Sequence, residues 1–330
     1  MIEAPPAPNT ENFAAQYESR HMSKPEMKNP RTTRVADLKP GQYADGSPLH
    51  DVQYLECKLI LKTDEFSSPA GFRKYGKLVA QAAKECGVGF DTSAAKGARP
   101  AIREVMFLDS EDFRLYNNAF ILRRRVRFED GFAADEPEVV FKFRHPDQQQ
   151  AAEVDVRPNL PGDYRIKFKA EALPLKDRLG GYRLLFSHNV QFPLSHAPKE
   201  GDRMAMARLA EVFPALKVLK ASKTDRVSLV NQTIVEEVLQ DLGTLDFGKG
   251  VTADANVALW RTRGEHLPLV GEFAYQVKFK RREDVHDKAR ERCAKFFIRL
   301  QQIGHAWIFL GATKTGMVYR LNGNPPQSHE

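Results

Sequence analysis

Cysteine is scarce: Cys57, Cys86 and Cys293 are the only three, they are far apart, and each falls on an apolar face. That excludes a disulfide framework and a cysteine zinc site, and it suits a reduced, cytoplasmic setting. No stretch approaches the ~18 apolar residues of a membrane span. The opening residues, MIEAPPAPNTENF, have neither a basic nor an apolar run, so no signal peptide is expected. The nine histidines form no H-x-x-x-H or H-E-x-x-H pattern, and no serine sits in a G-x-S-x-G elbow. Zinc-peptidase and serine-hydrolase chemistry of the familiar kinds are therefore not indicated. Leu245-Asp-Phe-Gly248 lacks the glycine-rich and H-R-D loops a kinase needs. Gly311-Ala-Thr-Lys-Thr-Gly316 has the wrong order for a phosphate loop, which leaves Lys314 either in a surface turn, the commoner case, or near the charged strand faces described below. There is no internal repeat of roughly 20–50 residues.

What is present is a basic chain with a large core. Of 330 residues, 42% are hydrophobic and 28% charged, and the net charge is +7. An excess of that sign favours an anionic partner. Residues 1–50 carry seven of the twenty prolines and equal numbers of acids and bases, so they read as a disordered arm and the excess lies beyond them. From residue 51 to about 325 the pattern is that of one domain. YLECKLILK alternates as a strand, and Phe72, Tyr75, Leu78, Val79, Ala82, Ala83 and Cys86 recur as the apolar stripe of a helix. REVMFLDS, FILRRRVRFEDG, EVVFKFRH, AEVDVRP and YRIKFKAEAL read as strands, followed by a helix around 203–213. KTDRVSLV, TIVEEVLQDLG, VALWRTRG and GEFAYQVKFK resume the strands, though TIVEEVLQDLG also fits a helical period. Residues 285–303 are a last helix. About ten strands with few, peripheral helices imply an α+β fold with a mainly antiparallel sheet, enough strands to close into a barrel.

The polar faces of these strands carry the functional question. Glu56 and Lys58 oppose Leu55, Cys57 and Leu59. Arg123, Arg125 and Arg127 share a face, as do Glu138, Lys142 and Arg144. Glu153 and Asp155 oppose Val154 and Val156, and Glu272, Gln276 and Lys278 oppose Phe273, Tyr275 and Val277. One solvated side of an open sheet accounts for such alternation. So does an enclosed lumen, where arginine forks suit phosphate oxygens and i, i+2 carboxylates suit a hard divalent cation.

In order along the chain, these segments resemble the CYTH superfamily, the triphosphate tunnel metalloenzymes. Its E-x-E-x-K strand is similar to Tyr54-Leu-Glu56-Cys-Lys58. Its Tyr/Phe-x-Asp-Thr/Ser turn is similar to Phe107-Leu-Asp109-Ser110, and its L-R-x-R strand to Leu122-Arg123-Arg-Arg125. A lone-lysine strand matches Val140-Phe-Lys142, an E-x-E-type strand Glu153-Val-Asp155, and a basic strand Lys223-Thr-Asp-Arg226. The resemblance implies an antiparallel β-barrel tunnel of about eight strands with peripheral helices. It implies a metal-dependent phosphohydrolase or phosphoryl or nucleotidyl transferase acting on a triphosphate or polyphosphate, with Mg²⁺ or Mn²⁺. In that frame Glu56 and Lys58 are catalytic. Lys58, Arg123, Arg125, Lys142, Lys223, Arg226 and Lys278 bind substrate, and Glu56, Glu153, Asp155 and Glu272 hold metal. Residues around 158–200 are extra to a minimal member. Tyr54 and Ala274 stand where carboxylates are usual, so a non-catalytic polyphosphate- or nucleotide-binding protein is the alternative. A nucleic-acid partner is not expected, because aromatics such as Phe141 and Phe143 fall on the core face and leave no stacking platform.

Overall fold

The computed structural model describes residues 41–66, 68–197 and 204–322. Residues 1–40 of the arm expected over 1–50, and Arg203 at the start of an expected helix, lie outside them. The chain divides into a unit ending at Pro48 and a unit spanning Leu49–Glu330. In the first, residues 41–48 make a turn closed by a bridge between Gln42 and Pro48.

The second unit is built on nine long strands: β1 Tyr54–Leu61, β2 Ala101–Asp109, β3 Phe120–Glu129, β4 Glu138–His145, β5 Arg165–Pro174, β6 Tyr182–Pro193, β7 Val235–Asp246, β8 Thr252–Thr262 and β9 Pro268–Lys278. Their order is β7-β8-β9-β1-β5-β6-β4-β3-β2, and β2 returns to β7 through the Val105–Val235 to Ala101–Leu239 pairing, which closes a barrel. Expectation and structure differ in two details. Among the described residues the barrel has nine strands, and β1 runs parallel to β5, Tyr54–Cys57 alongside Lys169–Ala172. Alternation reports which face a side chain takes and nothing about strand direction, so the parallel seam had no signature. The residues around 158–200 are also no appendage, since they supply β5 and β6.

Outside the barrel, the odd-numbered residues of β1 bury Cys57, Leu59 and Leu61 under two helices, α1 Pro69–Cys86 and a later one at Asp287–Ile303. The first begins with Pro69 after Ser68, where a missing N–H costs nothing, and ends at Gly87 with φ 64°, a left-handed cap. Tyr75, Val79, Phe273, Phe296 and Leu300 are fully buried in this layer. Each such side chain contributes roughly 1.5–3 kcal/mol. A second outer core joins Phe120, Leu122, Phe141, Val190 and Phe192 to Leu209 and Phe213, from and beside a short helix at Met206–Val212.

The barrel interior has two parts. At one end the inward residues are apolar: Ile60, Val105, Phe107, Ile121, Val235, Trp260 and Val270 pack with Ala312, Val318 and Tyr319, the last two from a short terminal helix at Lys314–Tyr319. This floor fills that end, so the barrel is a cup. Among the described residues no helix is long and apolar enough to cross a membrane.

Candidate functional site: a charged lumen

Above the floor lies a cavity of about 370 Å³. Its wall follows from strict alternation on each strand: Glu56 and Lys58 from β1, Arg103 from β2, Arg123 and Arg125 from β3, Lys142 and Arg144 from β4, Lys167, Lys169 and Glu171 from β5, Glu237 from β7, Asp254 from β8 and Glu272 from β9. Lys314 enters from the terminal helix. Glu56 and Lys58 therefore face an enclosed polar space. Among the described residues nine cations line it against five carboxylates.

Two ionic clusters organise the lining. Glu171, almost fully buried, receives Lys58 at 3.1 Å, Lys142 at 3.2 Å and Arg144 at 3.2 Å. Glu56 receives Lys58 at 3.0 Å and Lys169 at 3.2 Å. Burial alone would raise both carboxyl groups, but Lys58 and Lys169 on Glu56, and Arg144, Lys142 and Lys58 on Glu171, hold them well below the usual carboxylate range. Lys58 is the converse: burial opposes its charge, and Glu171 and Glu56 outweigh it and raise its pKa. In the second cluster Lys314 Nζ lies 2.7 Å from Glu272 Oε1 and 3.0 Å from Glu237 Oε1. Arg103 and the Trp260 indole N–H also donate to Glu237.

Of the remaining cations Arg125 pairs with Glu138, which lies outside this lining, while others are under-compensated. Among the described residues Arg123 has no carboxylate at ion-pair distance, and its buried Nε has no hydrogen-bond partner. Burial and then Arg125 lower its pKa to about 10. Lys142 is pushed down to about 7 by burial and Arg144 despite Glu171, and Lys167 to about 8 by burial and Arg165. Tyr54 stands at the rim with the ammonium groups of Lys167 and Lys169 at 5.9 and 6.0 Å from its ring centre.

Glu56, Lys58, Arg123, Arg125, Lys142 and Glu272 are thus brought together as the sequence reading expected. Five others are not. Glu153 ends a helix, Gln148–Glu153, whose cap is the Asp147 carboxylate accepting from the Gln150 N–H. Asp155 follows it in an unpaired segment and is held by Arg157 at 2.6 Å. The expected strand AEVDVRP does not form, because the capped turn buries Ala151 and Ala152 instead. Lys223 lies on an exposed turn, and Arg226, also exposed, opens the short strand Arg226–Leu229 and donates to the Lys223 carbonyl. Lys278 faces Tyr54 in register at the rim but is exposed. The residues missed were Arg103, Lys167, Lys169, Glu171, Glu237 and Lys314. Arg165-Ile-Lys-Phe-Lys-Ala-Glu171 alternates as clearly as β1, so its signal was available.

A divalent ion in the lumen would depend on its five carboxylates as donors. Among the described residues no group of three or more acidic, histidine or cysteine side chains converges. Glu56, Glu171, Glu237 and Glu272 already hold ammonium or guanidinium groups. The lining as it stands does not fit a resident metal.

The fold and lumen define a class: closed β-barrels with a basic, one-ended interior. No family model and no curated protein matches the sequence. Among solved structures, a protein of Hippeastrum assigned as an adenylyl cyclase and described as having a dominant triphosphatase activity aligns over 82% of this chain and 95% of its own, with 12% identity and a TM-score of 0.37. A Bacillus halodurans protein assigned as an adenylate cyclase aligns over 80% and 95%, with 8% identity and a TM-score of 0.34. A Pyrococcus horikoshii protein aligns over 75% and 89%, with 12% identity and a TM-score of 0.29. Likeness at that level assigns no activity, which has to come from the lumen.

Proposed function

We propose that the cup binds the terminal phosphates of a triphosphate or polyphosphate, and that the chain is a divergent triphosphate-tunnel phosphohydrolase of the CYTH type. The observation that carries this is the charge imbalance of the cavity, and above all Arg123, a half-buried arginine whose enclosed Nε has no hydrogen-bond partner and which meets no carboxylate at ion-pair distance among the described residues. A buried excess of cations is costly unless an anion joins them. Phosphate oxygens match that need through charge-assisted hydrogen bonds.

In this reading Arg123, Arg125 and Lys167 take the phosphate oxygens and stabilise charge that develops on them during transfer. Lys142, poised near neutrality, is suited to donate a proton to the leaving oxygen. Glu56 and Glu171 are held too acidic to serve as good bases, so their part is to fix Lys58, Lys142 and Lys169. Mg²⁺ or Mn²⁺, expected from the resemblance, stays in the proposal only as an ion held chiefly by the substrate's own phosphates. The partner is a small anionic molecule, with neither nucleic acid nor membrane required.

The second reading, a non-catalytic phosphate receptor, is favoured by the engagement of four lumen carboxylates with lysines and arginines. One experiment separates the two: phosphate release from tripolyphosphate with and without Mg²⁺ or Mn²⁺, together with calorimetric binding. Turnover that disappears in Lys142→Met supports the hydrolase. Binding without turnover, weakened in Arg123→Ala, supports the receptor. Absence of binding sinks both.

A further inference from the structure

The floor of the cup presents an arrangement that the phosphate reading does not use. Glu237 and Glu272 belong to different strands, are 2% and 6% exposed, and turn one carboxylate oxygen each toward a common point. Two buried carboxylates facing one point repel each other unless a cation or a proton sits between them. Here the cation is the Lys314 ammonium. Burial by itself would raise the Glu237 carboxyl, yet Lys314 and Arg103 hold it well below the carboxylate range, so no shared proton is needed.

Lys314 is held in place by more than its charge. Its ammonium lies 4.6 Å from the centre of the Trp260 ring, and that indole donates to Glu237 at 2.8 Å. The helix that carries it is anchored from both sides. The Thr313 hydroxyl accepts the Gly316 N–H, and the Asn231 amide donates to the carbonyls of Val318 and Tyr319. Val318 and Tyr319 are themselves fully buried in the floor. Withdrawing the ammonium would mean moving a packed segment, whereas an ordinary surface lysine simply swings away.

We propose that Lys314 is the built-in counter-cation of the Glu237–Glu272 pair, occupying the place a divalent ion would take and excluding one from the floor of the cup. The ammonium meets two carboxylates and an aromatic face. A hard divalent ion at the same point would find only two carboxylates and would have to displace a tethered cation. The consequence, which rests on the phosphate-binding reading, is that anchoring phosphates at this wall requires no resident metal.

The test reads metal occupancy and not turnover, so it stands or falls apart from the hydrolase reading. Mn²⁺ is titrated into the full chain, free of phosphate, and bound ion is counted by electron paramagnetic resonance. In the wild type, Glu272→Gln is expected to leave Mn²⁺ binding unchanged. Lys314→Ala is expected to gain one bound Mn²⁺ per chain, and adding Glu272→Gln is expected to remove it. Lys314→Gln, which keeps a hydrogen-bond donor at the pair, serves if the alanine variant does not fold. Two results overturn the proposal: wild-type Mn²⁺ binding that Glu272→Gln weakens, or a folded Lys314 variant that gains no ion.

Discussion

Arg123, half-buried, and Glu171, fully buried, are opposite cases of charge in the lumen, and removing each has an opposite expected result. Arg123 is a cation among cations. Arg123→Ala relieves repulsion, so urea denaturation should find stability unchanged or raised, while tripolyphosphate affinity falls roughly tenfold or more, the worth of one charge-assisted contact. Glu171 serves Lys58, Lys142 and Arg144 at once. Glu171→Gln leaves those cations without their anion and should cost about 3–5 kcal/mol in the same measurement. The lysines also set a pH dependence. Without ligand, Lys142 loses its proton near pH 7 and Lys167 near pH 8. A bound anion favours the ammonium forms and raises both values. Binding should therefore take up protons above pH 7, and affinity should fall as pH rises through 7 to 8. Calorimetry in buffers of differing ionisation heat reads the proton uptake directly, and uptake independent of pH across that range would refute the assignment.

At the scale of elements, Asp109 shows how a motif residue can serve structure alone. Its carboxylate accepts the N–H groups of Ser110, Leu115 and Tyr116 at 2.7–2.9 Å and ties the end of β2 to the turn that leads into β3. It lies outside the charged lining. Asp109→Ala strands three buried donors and should cost roughly 3 kcal/mol or more in urea unfolding. The same scale explains what the sequence could convey. β1, β3, β4 and β9 were legible because each buries one face and leaves charge on the other; alternation puts Glu56, Lys58, Arg123 and Lys142 on the charged face, and only the family resemblance turned that face toward a lumen. Residues 152–157 alternate too, but the Asp147 cap starts a helix just before them and no strand lies beside them. Periodicity over six residues cannot report a missing neighbour. Glu237 was hidden by a segment that fits both periods. Lys314 was hidden because nothing local in its turn reveals that the terminal segment folds back beneath the barrel.

For the molecule as a whole, the filled floor makes the lumen one-ended. A phosphate chain can enter it by a terminus but cannot thread through. Linear tripolyphosphate is expected to bind, and cyclic trimetaphosphate, which has no terminus, is expected to bind far more weakly. Equal affinities in calorimetric titration would argue against end-first entry. The seam between β1 and its neighbours has a consequence of another kind. Tyr54 pairs with Lys278 on one side and with Lys169 on the other. As the chain leaves the ribosome, its first barrel strand has no partner until β5 emerges, and the circle cannot close until β9 does. Contacts so distant in sequence make folding slow. Until then β1 offers an unpaired edge to other chains, and α1, which follows it directly, is the earliest element able to cover its apolar side.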